Sequence, residues 1–178
     1  MIPIQSHGKN ESIYFRCIPG VNDRGPTMAV ETGPRGQQLF GTMPDFAALL
    51  LNRGNHIIID EVLLNDISLG AYIKALGHRI VYFIGVFCDL EVMQEREFLR
   101  GDRAIGLSND QLDRVHTDGK GAPRKYDLMV NTSRASPFSL AREILTFMER
   151  TRAPQSFTTM GQEDAGPDTL PGTRAGIP

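Results

Sequence analysis

Three short apolar runs constrain the fold of this chain more than any other feature of its sequence. They cover residues 57–59, 80–87 and 126–130, and they show no regular alternation of polar and apolar side chains. Strands that are covered on both faces have this pattern, because neither face meets water. The runs therefore predict three buried parallel strands.

Helical patterns fill the spaces around these runs, over residues 37–53, 67–76, 90–100, 109–116 and 137–150. Gly54 and Gly77 stand just after two of these patterns, and Ser136 precedes Pro137 at the start of another, as helix ends require. Pro44 predicts a kink or a division in the first helix, because proline lacks an N–H donor and clashes with the preceding turn. Strands that alternate with helices predict an α/β doubly wound domain.

The composition divides the chain into one domain and a tail. A chain of 178 residues with 40% hydrophobic content is long enough for a single core. Ahead of the first helix, residues 12–18 and 28–32 are predicted to be extended around a turn-rich loop. From Thr151 onward the chain is rich in Pro, Gly and Thr, which predicts a domain over residues 1–150 and a disordered tail over residues 151–178.

The charge and the cysteines exclude several classes of protein. A net charge of −2 gives no reason to expect nucleic acid or an anionic membrane as a partner. Cys17 and Cys88 form no metal-binding pair, and the longest apolar run is half a membrane span. These features predict a reduced, cytoplasmic protein.

Asp60 and Glu61 form the first candidate site. They follow the run of isoleucines directly, at the end of a predicted strand where open α/β sheets place their ligands. A carboxylate there can hold Mg²⁺, directly or through water, beside the phosphates of a nucleotide. The alternative is structural: Asp60 caps a turn and Glu61 lies in solvent.

Three arginines form the second candidate site. Arg96, Arg100 and Arg103 follow an i, i+4, i+7 spacing, which is one face of a helix if the helix continues through Arg103. Guanidinium groups bind phosphate oxygens bidentately, so such a face suits a polyphosphate. The alternative is a solvated face on which Glu97 pairs with Arg100, with the helix ending at Gly101.

A phosphate-binding loop of the form Gly-x-x-x-x-Gly-Lys-Ser/Thr is absent from these 178 residues. No Gly-x-Gly-x-x-Gly motif replaces it. The sequence therefore contains no segment that can wrap backbone amides around phosphates in the P-loop manner.

Four segments in order nevertheless resemble the chloramphenicol phosphotransferase-like family: GNHIIIDEVLL, FCDLEVMQEREFLRGDRAIG, VH and YDLMVNTS. The resemblance covers about residues 2–145. It implies a P-loop kinase with a parallel sheet like that of nucleoside monophosphate kinases. It also implies transfer of the γ-phosphoryl group of ATP to a hydroxyl of a small molecule, chloramphenicol in the activity that names the family.

The resemblance also implies roles for the candidate residues. Arg100 and Arg103 match the arginines that meet phosphate during catalysis, and Arg96 lies on the same segment and supports nucleotide binding with Arg100. Asp60 matches the acid at the end of the strand that neighbours the P-loop strand, and the implied role of this acid is to hold Mg²⁺ through water. ATP and Mg²⁺ are the implied cofactors, and a small molecule with a hydroxyl group is the implied partner.

Departures from the family pattern open a second hypothesis. The P-loop, the first two strands and the aspartate that acts on the substrate hydroxyl have no counterpart in the sequence. We expect the natural protein to begin upstream and the chain as given to be inactive, because the P-loop supplies much of the electrostatic stabilisation in such kinases. The alternative is a non-catalytic remnant that binds a ligand or a partner.

Overall fold

The computed structural model of the chain describes residues 14–101, 104–118 and 120–164, with side chains to residue 161. Within these residues the strands are β1 (Phe15–Asn22), β2 (Gly25–Thr32), β3 (Ile84–Phe87) and β4 (Leu128–Asn131). The helices are α1 (Pro34–Asn52), α2 (Asp66–Leu76), α3 (Leu90–Arg100), α4 (Leu107–Val115), α5 (Pro137–Arg150) and α6 (Ser156–Asp164). The architecture is mixed α/β, with small sheets.

Strands β3 and β4 form a parallel pair. Their register runs from Ile84 opposite Leu128 to Phe87 opposite Asn131. Helices α3 and α4 lie between them in the chain, which is the crossover that parallel strands require. The prediction of parallel strands is therefore confirmed for the second and third apolar runs, although β3 is shorter than the run that predicted it. The prediction that both faces are buried is wrong for this pair, because Val86 is 56% and Met129 57% exposed.

The first apolar run is not a strand, and the prediction of a strand over residues 57–59 is wrong for the described structure. Ile58 is 99% exposed, and the described residues supply no hydrogen-bonded neighbour for this segment. An apolar run indicates that a segment favours burial, but a strand also needs a partner for its backbone groups. The parallel sheet of the described structure therefore has two strands.

An antiparallel hairpin precedes the helices. Strands β1 and β2 pair from Phe15 opposite Thr32 to Asn22 opposite Gly25. The backbone N–H of Arg24 donates to Asn22 Oδ1 over 2.9 Å, and Gly25 has a φ of +109°, which favours glycine. The predicted extended segments are confirmed over residues 15–18 and 28–32, and they reach further into the predicted loop than the sequence indicated; residues 12 and 13 lie outside the described residues.

Helix boundaries agree closely with the sequence. The predicted limits of α3 and α5 are confirmed, and the Ser136 hydroxyl accepts a hydrogen bond from the backbone N–H of Ser139, as an N-cap should. Helix α1 continues through Pro44, so the predicted division is wrong. Proline removes one backbone hydrogen bond from a helix. Helix α1 is nevertheless continuous, and both Pro44 and Ala47 are buried in the fold.

Helix α6 lies where the sequence predicted a disordered tail. Phe157 is 5% exposed, and the Asp127 carboxylate accepts hydrogen bonds from the backbone N–H groups of Gln155 (3.0 Å) and Ser156 (2.9 Å) at the start of the helix. The prediction of disorder is wrong for residues 156–164, because composition does not reveal one buried aromatic ring and a distant cap. Residues 165–178 lie outside the described residues.

The main core joins three helices. Its buried residues come from α1, α2 and α6: Ala47, Leu69, Tyr72, Ile73, Leu76 and Phe157. Among the described residues no helix combines the length and the hydropathy that a membrane span requires. The core leaves the carboxyl ends of β3 and β4 accessible at one edge of the fold.

Candidate functional site

The carboxyl ends of β3 and β4 are joined by a network of hydrogen bonds. The Asp89 backbone N–H donates to the Ser133 hydroxyl over 2.7 Å, and the Asn131 amide donates to the Asp89 carboxylate over 3.3 Å. The backbone N–H of Thr132 donates to the carbonyl of Phe87 over 2.8 Å. A cavity of about 370 Å³ lies beside this network, lined by Asp89, Asn131, Ser133, Arg134 and Ala135.

Arg96 belongs to this network although its side chain is exposed. Its guanidinium donates to the Thr132 carbonyl over 2.7 Å and to the Thr132 hydroxyl over 3.1 Å. It also contacts the sulfur of Cys88 over 3.4 Å. Part of the guanidinium is therefore held by contacts within the protein. Arg96 therefore ties α3 to the end of β4.

Arg100 is the last residue of α3 and is exposed. Among the described residues it makes no hydrogen bond or ion pair, and a guanidinium carries five N–H donors that suit an anion. Gly101 follows with a φ of +64°, the left-handed conformation that ends a helix. The described part of α3 therefore ends as the alternative expected, and Arg103 lies outside the described residues.

The acidic pair lies in a different part of the fold. Asp60 is exposed and Glu61 is half-buried, and both line a cavity of about 310 Å³ whose other walls are mainly apolar side chains of α1 and residues 57–59. Burial raises the pKa of the Glu61 carboxyl, and the negative charge of Asp60 raises it further. The site therefore combines a carboxylate in solvent with one that holds a proton more readily.

No hydrogen bond or ion pair within the described residues connects Asp60 with Arg96 or Arg100. The same residues contain no group of three or more His, Cys, Asp or Glu side chains that could hold a metal ion by itself. An Mg²⁺ ion keeps several water ligands and takes one or two carboxylates together with phosphate oxygens. Asp60 fits that requirement as a water-mediated ligand, and this role stays a prediction.

Sequence reasoning missed a buried polar cluster at the start of α4. Glu97, Ser108 and Asn109 are all buried, and the carboxylate of Glu97 accepts hydrogen bonds from Gly106 and Ser108. The proposed pairing of Glu97 with Arg100 is not observed. A glutamate in a charged helix gives no local signal of burial, because its partners begin nine residues further along the chain.

The model of one protein family, described as chloramphenicol phosphotransferase-like protein, matches residues 20–149. The match includes β3, β4, the arginines of α3 and the Asp60 segment. No curated protein matches the chain significantly.

Proposed function

Since this chain belongs to the chloramphenicol phosphotransferase-like family, we propose that it is a phosphotransferase domain that moves the γ-phosphoryl group of ATP to a hydroxyl of a small molecule. A compound similar to chloramphenicol is the acceptor that the family name suggests. A kinase for another small hydroxyl compound is the nearest alternative, because family membership does not fix the acceptor.

The observation that carries the proposal is the position of Arg100. It lies at the end of a helix that starts directly after a parallel strand, and it presents a guanidinium without a recorded partner among the described residues. Phosphoryl transfer depends on positioning and on cations that stabilise the charge of the phosphate oxygens. Arg100 supplies such a cation, and Arg96 fixes the helix that carries it.

Mg²⁺ and ATP are the proposed cofactors. Asp60 would hold the ion through water, and Arg96 and Arg100 would bind phosphate oxygens. The ion neutralises charge on the phosphates when it is bound. Arg103 is a further proposed phosphate ligand from the sequence, and we expect Arg103→Ala to lower turnover more than substrate binding.

A phosphate-binding loop is missing from these 178 residues, and we propose that the chain by itself binds polyphosphate without efficient turnover. In that form it is a non-catalytic module that recognises phosphate. Efficient transfer would need the loop from residues outside this sequence. The two functions differ in turnover but share the binding of phosphate by α3.

Titration of the chain with ATP and Mg²⁺ in a calorimeter tests the shared step. We expect Arg100→Ala to weaken binding by about tenfold or more, because a hydrogen bond to a charged group contributes roughly 1.5 to 3 kcal/mol. Arg100→Lys should recover part of the affinity, since it keeps the charge but loses the planar fork. The matched control is Arg142→Ala, which removes an exposed arginine from α5.

Equal affinities in Arg100→Ala and Arg142→Ala would contradict the assignment of phosphate binding to Arg100. Release of ADP in the presence of chloramphenicol then separates the enzyme from the binding module. Measurable turnover by the 178-residue chain would reject the non-catalytic form and retain the kinase.

A further inference from the structure

Glu97 is a buried carboxylate on the arginine-bearing helix α3. Its side chain is 7% exposed, and its oxygens accept hydrogen bonds from the backbone N–H of Gly106 (2.8 Å), the backbone N–H of Ser108 (3.0 Å) and the Ser108 hydroxyl (3.2 Å). These donors lie at and just inside the N-terminus of α4. Glu97 therefore joins α3 to α4 through three hydrogen bonds.

Burial of a carboxylate is costly unless its charge is compensated. Its recorded partners in the described part of the chain are these donors, with no cationic side chain among them. The first N–H groups of a helix lack partners within the helix and lie at the positive end of its dipole, so they stabilise a negative charge. The N–H groups at the start of α4 and the Glu97 carboxylate therefore supply each other's hydrogen-bonding partners. Both would lose these partners if α3 rotated away.

The start of α4 is itself held on its other side by the hairpin. The Gly106 carbonyl accepts from the Met28 backbone N–H over 3.0 Å. The buried side chain of Asn109 donates to the Pro26 carbonyl over 2.8 Å and accepts from the Gln94 side chain of α3 over 2.8 Å. A side chain at Gly106 would lie 2.8 Å from the Pro26 carbonyl oxygen, so the two segments pack without space between them. The start of α4, to which Glu97 is bonded, is therefore held in place by the hairpin.

The positions of Arg96 and Arg100 on the exposed side of α3 depend on this contact between Glu97 and the start of α4. Residues 96 and 100 lie one helical turn apart on the exposed side, and residue 97 lies on the buried side of the same helix. The rotation of α3 about its axis therefore decides where both guanidinium groups lie relative to the ends of β3 and β4. Arg96 joins this helix to Thr132, and Glu97 joins it to α4 beside the hydrogen bond from Gln94 to Asn109.

We propose that Glu97 is a positioning residue for phosphate recognition: its three hydrogen bonds to the start of α4 set the orientation of α3 and so hold Arg100 where it binds a polyphosphate. This inference rests on the proposed function. It adds a residue that does not contact the phosphate but determines how tightly Arg100 binds it.

Glu97→Gln tests the inference in the full chain, with inorganic tripolyphosphate as the probe. Glutamine keeps the shape of the side chain, but its NH₂ group is a donor that faces backbone N–H donors, so at least one hydrogen bond is lost. We expect the dissociation constant to rise by roughly two- to thirtyfold, the range for residues that change binding without contacting the ligand. Glu95→Gln, an exposed change on the same helix, is the matched control and should leave binding unchanged.

Two further measurements separate positioning from general loss of structure. Repeating Glu97→Gln in an Arg100→Ala background should give a much smaller additional loss of affinity than in the wild-type background, because residues that act through one group are not additive. Amide hydrogen exchange at Gly106 and Ser108 should accelerate in Glu97→Gln, whether or not a phosphate binds. Ser108→Ala removes a single hydroxyl donor. It should weaken tripolyphosphate binding and accelerate amide exchange, each by less than Glu97→Gln does.

Each result decides a separate claim. Faster exchange with unchanged tripolyphosphate affinity would leave the proposed function intact and overturn the positioning role. A full additional loss in the Arg100→Ala background would also overturn it, since Glu97 would then act independently of Arg100. Absence of tripolyphosphate binding in the wild-type chain would reject the proposed function, and the positioning role with it.

Discussion

At the scale of single residues, the ring of His116 shows how a polar group is placed against β3. It stacks on the ring of Phe87 at a centroid distance of 3.7 Å, and its Nδ1 lies 2.9 Å from the hydroxyl of Tyr126. Burial lowers the pKa of His116, and the positive charge of Arg124 lowers it further. The folded state therefore favours the neutral ring.

This shift predicts a dependence of stability on pH. An unfolded chain protonates the histidine near pH about 6.5, whereas the folded chain resists protonation to lower pH. The contribution of His116 is complete above that pH and is lost as the pH falls through it. We expect the free energy of unfolding, measured in urea between pH 5 and pH 7.5, to depend less on pH in His116→Gln than in the wild type.

The comparison concerns the slope with pH, because His116→Gln also loses the stacked ring and is less stable at every pH. His56→Gln, which changes an exposed histidine, is the control and should retain the slope of the wild type. An equal slope in His116→Gln and the wild type would show that His116 does not titrate differently on folding.

At the scale of elements, α6 carries the clearest prediction about stability. Phe157 contacts the ring of Phe83 at a centroid distance of 5.9 Å and belongs to the main core. Phe157→Ala should therefore lower the free energy of unfolding by about 3 to 5 kcal/mol, the usual cost of removing a buried aromatic side chain. Urea unfolding measures it, and Phe138→Ala, at a ring that is 74% exposed, is the control.

Similar losses in Phe157→Ala and Phe138→Ala would mean that α6 is not docked on α2, and would restore the prediction of a disordered tail from Thr151. A large loss in Phe157→Ala alone supports the core that joins α1, α2 and α6.

The same elements show what the sequence can predict. Helices α3 and α5 have strong local signals, such as the Ser136 cap and Gly101, and their limits could be predicted from neighbouring residues. The first helical turn of α6 depends instead on Asp127, 29 residues before Ser156. Long-range caps of this kind leave no periodicity in the sequence, and for the same reason the partners of Glu97 could not be predicted.

At the scale of the whole molecule, the site divides into two regions. Arg96 lies at the end of β4 and Arg100 at the far end of α3, whereas Asp60 lies with the cavity beside α1. The sequence predicted the arginines and Asp60 as candidate site residues from their chemistry. It could not predict that they lie apart, because the order of strands in a sheet depends on which segments are hydrogen-bonded to each other. Residues 57–59, of which Ile58 and Ile59 are exposed, form no strand in the described structure and lead directly into Asp60.

The exposed side chain of Ile58 yields a prediction for the stability of the whole chain. Ile58 is 99% exposed, so Ile58→Lys in the 178-residue chain should change the free energy of unfolding by less than about 0.5 kcal/mol. Ile67→Lys, at an exposed position of α2, should behave alike, whereas Ile73→Ala in the core should cost about 2 to 5 kcal/mol. Urea unfolding at several protein concentrations measures all three variants. A cost in Ile58→Lys that approaches that of Ile73→Ala, or that grows with protein concentration, would contradict the exposed placement, because only a covering strand or a second copy makes a lysine there expensive.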